Sequence, residues 1–226
     1  MSAAVVLTVT LLGGESTGKT TLAQSLHRQL TDQGIATTLV PEHLRDWCAT
    51  QGRAPRSQEQ SALAHEQARR IDDAAQPGVR VVIADTAPLV IAAYSELYFN
   101  DLSLYAGAIA WQRHVGLTLL MGLDLPWVAD GLFRESPAVR EATDAAIRQQ
   151  LQAAALPYQT VYGQGEARSR QALRAIGAAL GQALTPSDPV WPQGRRPWNC
   201  DKCSDPDCEH RMFTQLLSQR PTDTAP

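Results

Sequence analysis

The sequence is poor in several features that would each indicate a particular class of protein. It has four cysteines, 6% aromatic residues and a formal net charge of −3 over 226 residues. Four thiols, one of them alone at Cys48, do not form the disulfide framework of a secreted domain, so we expect reduced thiols and a cytoplasmic location. The charge offers no basic surface to nucleic acid, and no apolar run reaches the about 20 residues of a membrane span.

Lysine is scarce, since the 20 basic residues include only Lys19 and Lys202. Lys19 lies in a glycine-rich segment, where a compact ammonium group fits and the planar guanidinium of arginine does not. Proline is unevenly distributed, because seven of the 14 prolines fall between Pro186 and Pro226. The two distributions indicate a specialised loop near the start of the chain and a change of organisation near residue 185.

The first 184 residues contain alternating β-branched apolar runs and helical patterns. The runs predict strands over 3–11, 35–40, 79–85, 116–122 and 157–162. The helical patterns cover 19–33, 57–75, 88–98, 102–114, 137–154 and 166–183. Such alternation predicts an α/β fold of three layers, in which helices cover both faces of a parallel five-stranded sheet.

Two of the predicted helices have recognisable details. In the first, an apolar stripe is formed by Leu22, Leu26 and Leu30. In the second, Ser57 and Gln60 have the spacing of a capping box. The predicted buried face of this second helix consists of Ala64, Ala68, Ile71 and Ala75.

The composition changes after Leu184. We therefore expect a catalytic-type domain over 1–184, a proline-rich linker over 185–199 and a small C-terminal Cys/His module over 200–226. The module is a short cysteine-rich tail without a hydrophobic core of its own.

Residues 13–20 read GGESTGKT and match the pattern G-x-x-x-x-G-K-[ST] between a predicted strand and a predicted helix. Backbone N–H groups of such a loop bind phosphate, the lysine reaches the β- and γ-phosphates, and the hydroxyl of Thr20 binds Mg²⁺. The alternative is an ordinary glycine turn. The predicted ATP-binding residues are Gly13, Gly14, Glu15, Ser16, Thr17, Gly18, Lys19, Thr20 and Thr21.

Carboxylates follow two further strands, where ligands bind in open parallel sheets. Asp85 is predicted to hold Mg²⁺ or to act as a base, with a helix N-cap as the alternative. Glu42 is predicted to deprotonate a sugar hydroxyl, which leaves the choice of base open between Glu42 and Asp85. Arg45 and Trp47 are predicted to contact the acceptor, although Arg45 also fits an ordinary surface position and Trp47 the core.

A loop after the fourth strand, DGLFRE over 130–135, has the character of a lid. We expect Arg134, with Arg140 as second choice, to deliver a guanidinium to the charge that develops during phosphoryl transfer. The alternative is a solvated helix start.

The C-terminal module contains Cys200, Cys203, Cys208 and His210 within 11 residues. The C-x2-C spacing suits tetrahedral Zn²⁺, and a metal would organise a segment that lacks a core. The alternative is an exposed tail with reduced thiols, and an iron–sulfur centre is disfavoured because only three cysteines cluster.

Taken in order, these motifs resemble the bacterial NadR-type ribosylnicotinamide kinases and the broader family of NadR-like P-loop ATPases. The resemblance spans about residues 5–184 and rests on GGESTGKTTL, PEHLRDW, LAHEQARRID, IADT and WVADGLFRE. It implies a P-loop NTPase fold and ATP-dependent 5′-phosphorylation of nicotinamide riboside with Mg²⁺. Glu42 followed by Trp47 also resembles the E-x-x-x-x-W segment of deoxynucleoside kinases, in which the glutamate is the base.

Carried over to this chain, the resemblance implies phosphate binding at 13–20 and acceptor binding at Glu42 and Arg45. It implies a magnesium or base carboxylate at Asp85 and a lid arginine at Arg134. The first hypothesis is thus an ATP-dependent nucleoside kinase. The second is a nucleotide-sensing P-loop ATPase whose zinc-binding tail docks a protein partner.

Overall fold

A computed structural model describes residues 5–128 and 136–186 of the protein. The chain divides into two units after Thr185, and the following description concerns the first. The predicted lid residue Arg134 and the four predicted zinc ligands, Cys200, Cys203, Cys208 and His210, lie outside the described residues.

The described chain contains a parallel five-stranded sheet. Its strands are β1 (Leu7–Leu12), β2 (Thr37–Val40), β3 (Val81–Asp85), β4 (Leu117–Met121) and β5 (Gln159–Val161). They lie in the order β2-β3-β1-β4-β5, and every pairing is parallel. The predicted α/β class and the predicted number of strands are confirmed, because apolar runs buried on both faces favour parallel pairing.

Helices cover both faces of this sheet. They are α1 (Lys19–Asp32), α2 (His43–Gln51), α3 (Ser57–Asp73), α4 (Pro88–Phe99), α5 (Tyr105–Gln112), α6 (Pro137–Ala153) and α7 (Gly165–Leu180). Side chains alternate along a strand, so Leu11 packs with α1 and α7 while Leu12 packs with α4, α5 and α6. No helix in the described ranges is both long and apolar enough to span a membrane.

The predicted helix α1 is confirmed, whereas α2 was not predicted. Leu22, Leu26 and Leu30 of α1 are 3%, 0% and 0% exposed, as their spacing indicates. In α2 only Cys48 is buried. A helix of nine residues with a single buried side chain leaves no apolar period in the sequence, which is why the pattern did not reveal it.

Helix α3 begins at Ser57 as predicted, but its cap and its buried face differ from the prediction. The carboxylate of Glu59, rather than the side chain of Gln60, accepts the first bond, from the N–H of Arg56 at 2.7 Å. Ala75 lies exposed beyond the helix and Ala68 is only partly buried. The buried face consists of Gln60, Leu63, Ala64, Gln67 and Ile71. It is turned towards Leu63 relative to the prediction, because this side chain is larger than either alanine.

The register of the sheet brings three strand ends to one edge. Leu11 of β1 pairs with Asp85 of β3, and Val40 of β2 pairs with Ala84. Because the strands are parallel, the loops that follow β1, β2 and β3 leave the sheet side by side.

Candidate active site

The loop from Gly13 to Gly18 joins β1 to α1 and folds tightly on itself. Gly13 and Gly18 have φ values of +146° and +79°, which a side chain would make unfavourable. The hydroxyl of Thr17 donates to the carbonyl of Gly14 at 2.7 Å. The ammonium group of Lys19 is buried and donates to the carbonyls of Gly13 and Gly14 at 2.9 and 2.8 Å. The predicted phosphate-loop residues therefore form one compact turn around the lysine.

Arg168 of α7 supports this loop from behind, and the sequence analysis did not identify it. Its guanidinium, whose side chain is 4% exposed, donates to the carbonyl of Thr17 at 3.0 Å. The same group donates to the carbonyls of Gly122 and Val161 at 3.1 Å and to Asp124 at 2.9 Å. Arg168 thus ties the phosphate loop to the ends of β4 and β5. The available signal was an arginine on the buried face of α7, which is apolar apart from Arg168 and Ser169.

Helix α6 also contacts the loop, through Arg140. The carbonyl oxygen of Arg140 would lie 3.0 Å from a Cβ atom added to Gly14, so this close approach requires glycine. The guanidinium of Arg140 is buried and donates to the carbonyl of Leu125 at 2.7 Å. The structure thus engages Arg140, the second choice for a lid arginine, in holding the chain around the phosphate loop.

Glu42 and Asp85 lie at the sheet edge that the register predicts. Glu42 precedes α2, its side chain is 11% exposed, and its Oε2 lies 3.2 Å from the Nη2 atom of Arg45. Asp85 ends β3 and is 3% exposed, and its Oδ1 has no hydrogen-bond partner among the described residues. A buried carboxylate oxygen without a donor indicates a ligand or a cation at that position.

The surroundings of Glu42 shift its acidity. Burial raises the pKa of this carboxyl group above its usual 4.5, and the positive charges of Lys19 and Arg45 oppose that shift. The negative charge of Asp85 adds to the increase. These charge effects show that the two carboxylates and the phosphate-loop lysine share one local electrostatic environment.

Arg45 links the phosphate loop to Glu42. Its Nη1 donates to the hydroxyl of Thr20 at 3.4 Å, while its Nη2 makes the ion pair with Glu42. The structure therefore brings two separate sequence motifs, the phosphate loop and the segment after β2, into contact.

Gln67 of α3 connects the loops that carry the two carboxylates. It is completely buried, and its Oε1 accepts the N–H of His43 at 2.7 Å. Its Nε2 lies 3.4 Å from the carbonyls of Pro41 and Thr86, which adjoin Glu42 and Asp85. This role was not predicted, although a glutamine on the buried face of a helix is unusual.

A cavity of about 820 Å³ opens between the phosphate loop and the residues that follow β2. Glu42 and Arg45 line it together with the loop. The wall away from the phosphate loop includes Leu44, Cys48, Gln60, Tyr94, Tyr98 and Phe99.

Trp47, the predicted stacking residue, does not line this cavity. It packs against the cluster of Leu63, Ala64 and Ile91, and the guanidinium of Arg53 lies 4.9 Å from its ring centroid. The aromatic side chains of the cavity come instead from α4, whose tyrosines the sequence analysis did not single out.

A second cavity, of about 590 Å³, follows α1 and the start of α7. It shares Gly18 and Thr21 with the larger cavity, and Glu42 is not among the residues that line it. The residues that line it include Thr21, Leu22, Ser25, Leu125, Gly165 and Glu166.

Within the described ranges, no group of three or more His, Cys, Asp or Glu side chains could hold a metal ion. The candidate ligands for Mg²⁺ are the hydroxyl of Thr20 and the Oδ1 of Asp85, which is unpartnered among the described residues. Two oxygen ligands suit Mg²⁺, which takes its remaining ligands from water and substrate phosphates.

Known proteins match this chain in sequence profile and in fold. The profile of the AAA domain family matches residues 8–168. A NadR protein in complex with NR superposes with a TM-score of 0.68 at 22% identity, over 81% of this chain and 54% of that one. A NadR protein in complex with NAD and AMP-PNP gives 0.65 at 18% identity, over 82% and 52%. Thymidylate kinase from Ehrlichia chaffeensis gives 0.55 at 12% identity, over 76% and 99%.

The chain spans about half the length of the NadR structures that it matches. No curated protein sequence matches it. At these identities the likeness concerns the fold, which confirms the P-loop NTPase architecture implied by the resemblance to NadR.

Proposed function

The chain belongs to the AAA domain family, and on that premise we propose that it is an ATP-dependent kinase that phosphorylates the 5′-hydroxyl of a nucleoside such as nicotinamide riboside. The observation that carries this proposal is the single cavity bounded by the phosphate loop on one side and by Glu42 on the other. A phosphate donor on the loop and a hydroxyl acceptor beside Glu42 would share this one cavity.

ATP binds with its phosphates on the loop from Gly13 to Thr20. The N-terminus of α1 supplies backbone N–H groups and the positive end of a helix dipole, which favour an anion. The ammonium of Lys19 leaves the loop carbonyls for the β- and γ-phosphates. The nucleoside part of ATP enters the second cavity, beside Gly18 and Thr21.

Thr20 and Asp85 would hold a magnesium ion, the hydroxyl of Thr20 as a ligand and the carboxylate of Asp85 directly or through water. When bound, Mg²⁺ neutralises charge on the β- and γ-phosphates.

Glu42 is the base that receives the proton of the acceptor hydroxyl. We choose it over Asp85 because Glu42 lines the cavity, whereas Asp85 is not among the lining residues and offers an unpartnered oxygen for the cation. As the proton moves to Glu42, the acceptor oxygen bonds to the γ-phosphorus, and the bond to the β–γ bridging oxygen breaks. ADP leaves, and the nucleoside becomes a phosphate monoester.

Arg45 positions the acceptor and Glu42, and Arg134 of the lid is proposed to stabilise the transferred phosphoryl group. The complexes of the NadR proteins with NR and with AMP-PNP support the choice of acceptor and donor. The match covers only about half of those proteins, so the assignment here is a proposal.

A nucleoside panel tests the proposal. ADP release from purified protein is measured with Mg²⁺-ATP alone and with nicotinamide riboside, thymidine or uridine added. We expect one nucleoside to increase ADP release many-fold. Equal release with and without every nucleoside would favour the alternative, a nucleotide-sensing ATPase whose tail docks a partner.

A further inference from the structure

The side-chain amide of Gln60 lies in the wall of the larger cavity. The residue belongs to α3 and is 3% exposed. Its Oε1 has no hydrogen-bond partner among the described residues. A buried amide oxygen without a donor costs free energy in the unliganded protein, and a ligand that brings an N–H group removes that cost.

The neighbouring wall suits a planar ring. Leu44, Cys48 and Phe99 contribute apolar surface, and Tyr94 and Tyr98 add aromatic rings whose centroids lie 6.2 Å apart. In such surroundings a single polar group fixes the orientation of a flat ligand. Gln60 is that group on the α3 side of the cavity.

The position along α3 fits a nucleoside that reaches from Gln60 to Glu42. Gln67 lies two turns further along the same helix face and bonds to His43, the residue after Glu42. Seven residues of helix span about 10 Å. That distance is comparable with the length of a nucleoside, so a ring at Gln60 leaves its 5′-hydroxyl near Glu42.

We propose that Gln60 selects the acceptor by accepting a hydrogen bond from an N–H of its ring amide or imide. The class of acceptor is a nucleoside whose planar ring carries an N–H donor beside a carbonyl, to which the Nε2 of Gln60 donates in return. This inference rests on the proposal that the acceptor enters this cavity. It is tested by binding, which does not require turnover.

Paired ligands isolate the N–H group. Isothermal titration calorimetry, with AMP-PNP and Mg²⁺ present, compares nicotinamide riboside with nicotinate riboside, and uridine with 3-methyluridine. The second member of each pair lacks the N–H donor. We expect at least one pair to show a preference of about tenfold or more for the N–H form, since an unpaired buried amide weakens binding by that order. The pair that shows this preference identifies the preferred ring as a pyridine carboxamide or as a pyrimidine imide.

Three variants assign that preference to Gln60. Q60M fills a similar volume without polar atoms, and the ratio of affinities within the pair should be about tenfold lower in this variant. Q60E still accepts an N–H and should keep it. The matched control Q58M makes the same exchange on the exposed face of the same helix and should leave it unchanged.

Three results would overturn the inference. One is equal affinity within both pairs in the unmodified protein, and another is the full preference in Q60M. The third is no binding of any of the four nucleosides. Thermal unfolding shows whether Q60M is correctly folded. If it is not, Q60E and the ligand pairs still test the inference. A preference for the N–H form without acceptor-dependent ADP release would contradict the proposed kinase activity and still support the role of Gln60 in binding.

Discussion

Opposing influences act on the carboxylate of Glu42. Burial raises its pKa, while Lys19 and Arg45 hold the increase down. A base whose pKa approaches the operating pH accepts a proton more readily during reaction than an ordinary surface glutamate does. The environment of Glu42 therefore matches the role that we propose for it.

Replacing Glu42 with glutamine should lower acceptor-dependent turnover by about 10²- to 10⁴-fold, because the amide cannot take up the hydroxyl proton. Binding of ATP should remain. The exposed carboxylate Glu141 provides the matched control, E141Q, whose turnover should equal that of the unmodified protein. Steady-state kinetics and nucleotide titration measure the two effects, and full turnover in E42Q would eliminate Glu42 as the base.

The pH profile follows from the same shift. A base works when deprotonated, so protonation of Glu42 removes activity as the pH falls through its pKa. Because that pKa lies above 4.5, the acidic decline in kcat/KM should have its midpoint above 4.5. The residual activity of E42Q should lack this decline, and an identical midpoint in E42Q would assign it to another group.

Individual site residues were predictable where a motif and a strand end coincide. Glu42 and Asp85 follow apolar runs, and the sheet brings them to one edge as expected. Gln60, Gln67 and Arg168 could not be predicted, because each acts through a contact between elements far apart in sequence. A polar residue on a buried helix face is a signal, but sequence alone does not tell which partner it meets.

At the scale of elements, α3 contacts both of the loops that carry Glu42 and Asp85, through Gln67. Gln67 supplies one acceptor to His43 and lies within 3.4 Å of the carbonyls of Pro41 and Thr86. Thr86 has a φ of 95°, which is unfavourable for a β-branched residue. A contact on its carbonyl helps to hold this strained turn after Asp85.

The substitution Q67M should lower the free energy of unfolding by about 1–3 kcal/mol, because buried backbone groups lose their partner. It should also lower kcat for the acceptor reaction while leaving the KM for ATP unchanged, since Gln67 positions the carboxylate loops and not the phosphate loop. Q58M is again the surface control. Denaturant unfolding and kinetics test both effects, and a loss of stability with unchanged kcat would reduce Gln67 to a structural role.

Helix α7 stabilises the phosphate loop through Arg168. Substitution R168L leaves Asp124 and three backbone carbonyls without their donor, and we expect a loss of about 3–5 kcal/mol in the free energy of unfolding. The control R170L removes an exposed arginine of the same helix and should change stability by no more than about 0.5 kcal/mol. Equal effects in urea unfolding would contradict the assigned role of Arg168.

Elements were predictable wherever their apolar period was strong. Strands β1, β3 and β4 and the stripe of α1 contain several buried Leu, Ile and Val residues, whereas β2 and β5 bury only Val40 and Val161 of this kind. Helix α2 arises from tertiary context, since it buries only Cys48. The face of α3 was misjudged because the alanines Ala68 and Ala75 carry less weight in packing than Leu63 and two buried glutamines.

At the scale of the whole molecule, the first unit, Met1–Thr185, contains every residue to which we assign a role in nucleotide binding, acceptor binding or phosphoryl transfer. Truncation after Pro186 should therefore leave acceptor-dependent kcat within about twofold of the full chain. The measurement is steady-state kinetics on both proteins. Loss of turnover with retained ATP binding would instead favour the alternative in which the tail is essential to a sensor.

The zinc site remains a prediction about the tail. The full chain should contain about one zinc per molecule by elemental analysis, since four soft ligands complete a tetrahedral site. The double variant C200S/C203S should lose the metal while its kinase activity persists. A zinc content well below one per chain in the unmodified protein would refute the site.

Transfer of the terminal phosphate to a nucleoside is the central claim, and product analysis tests it most directly. Mass spectrometry after incubation with Mg²⁺-ATP and nicotinamide riboside should find the nucleoside monophosphate and ADP in equal amounts, with both formed about 10²- to 10⁴-fold more slowly by E42Q. The nucleosides of the panel extend the test to other acceptors. Inorganic phosphate as the sole product beside ADP, at the same rate with and without any nucleoside, would contradict the account.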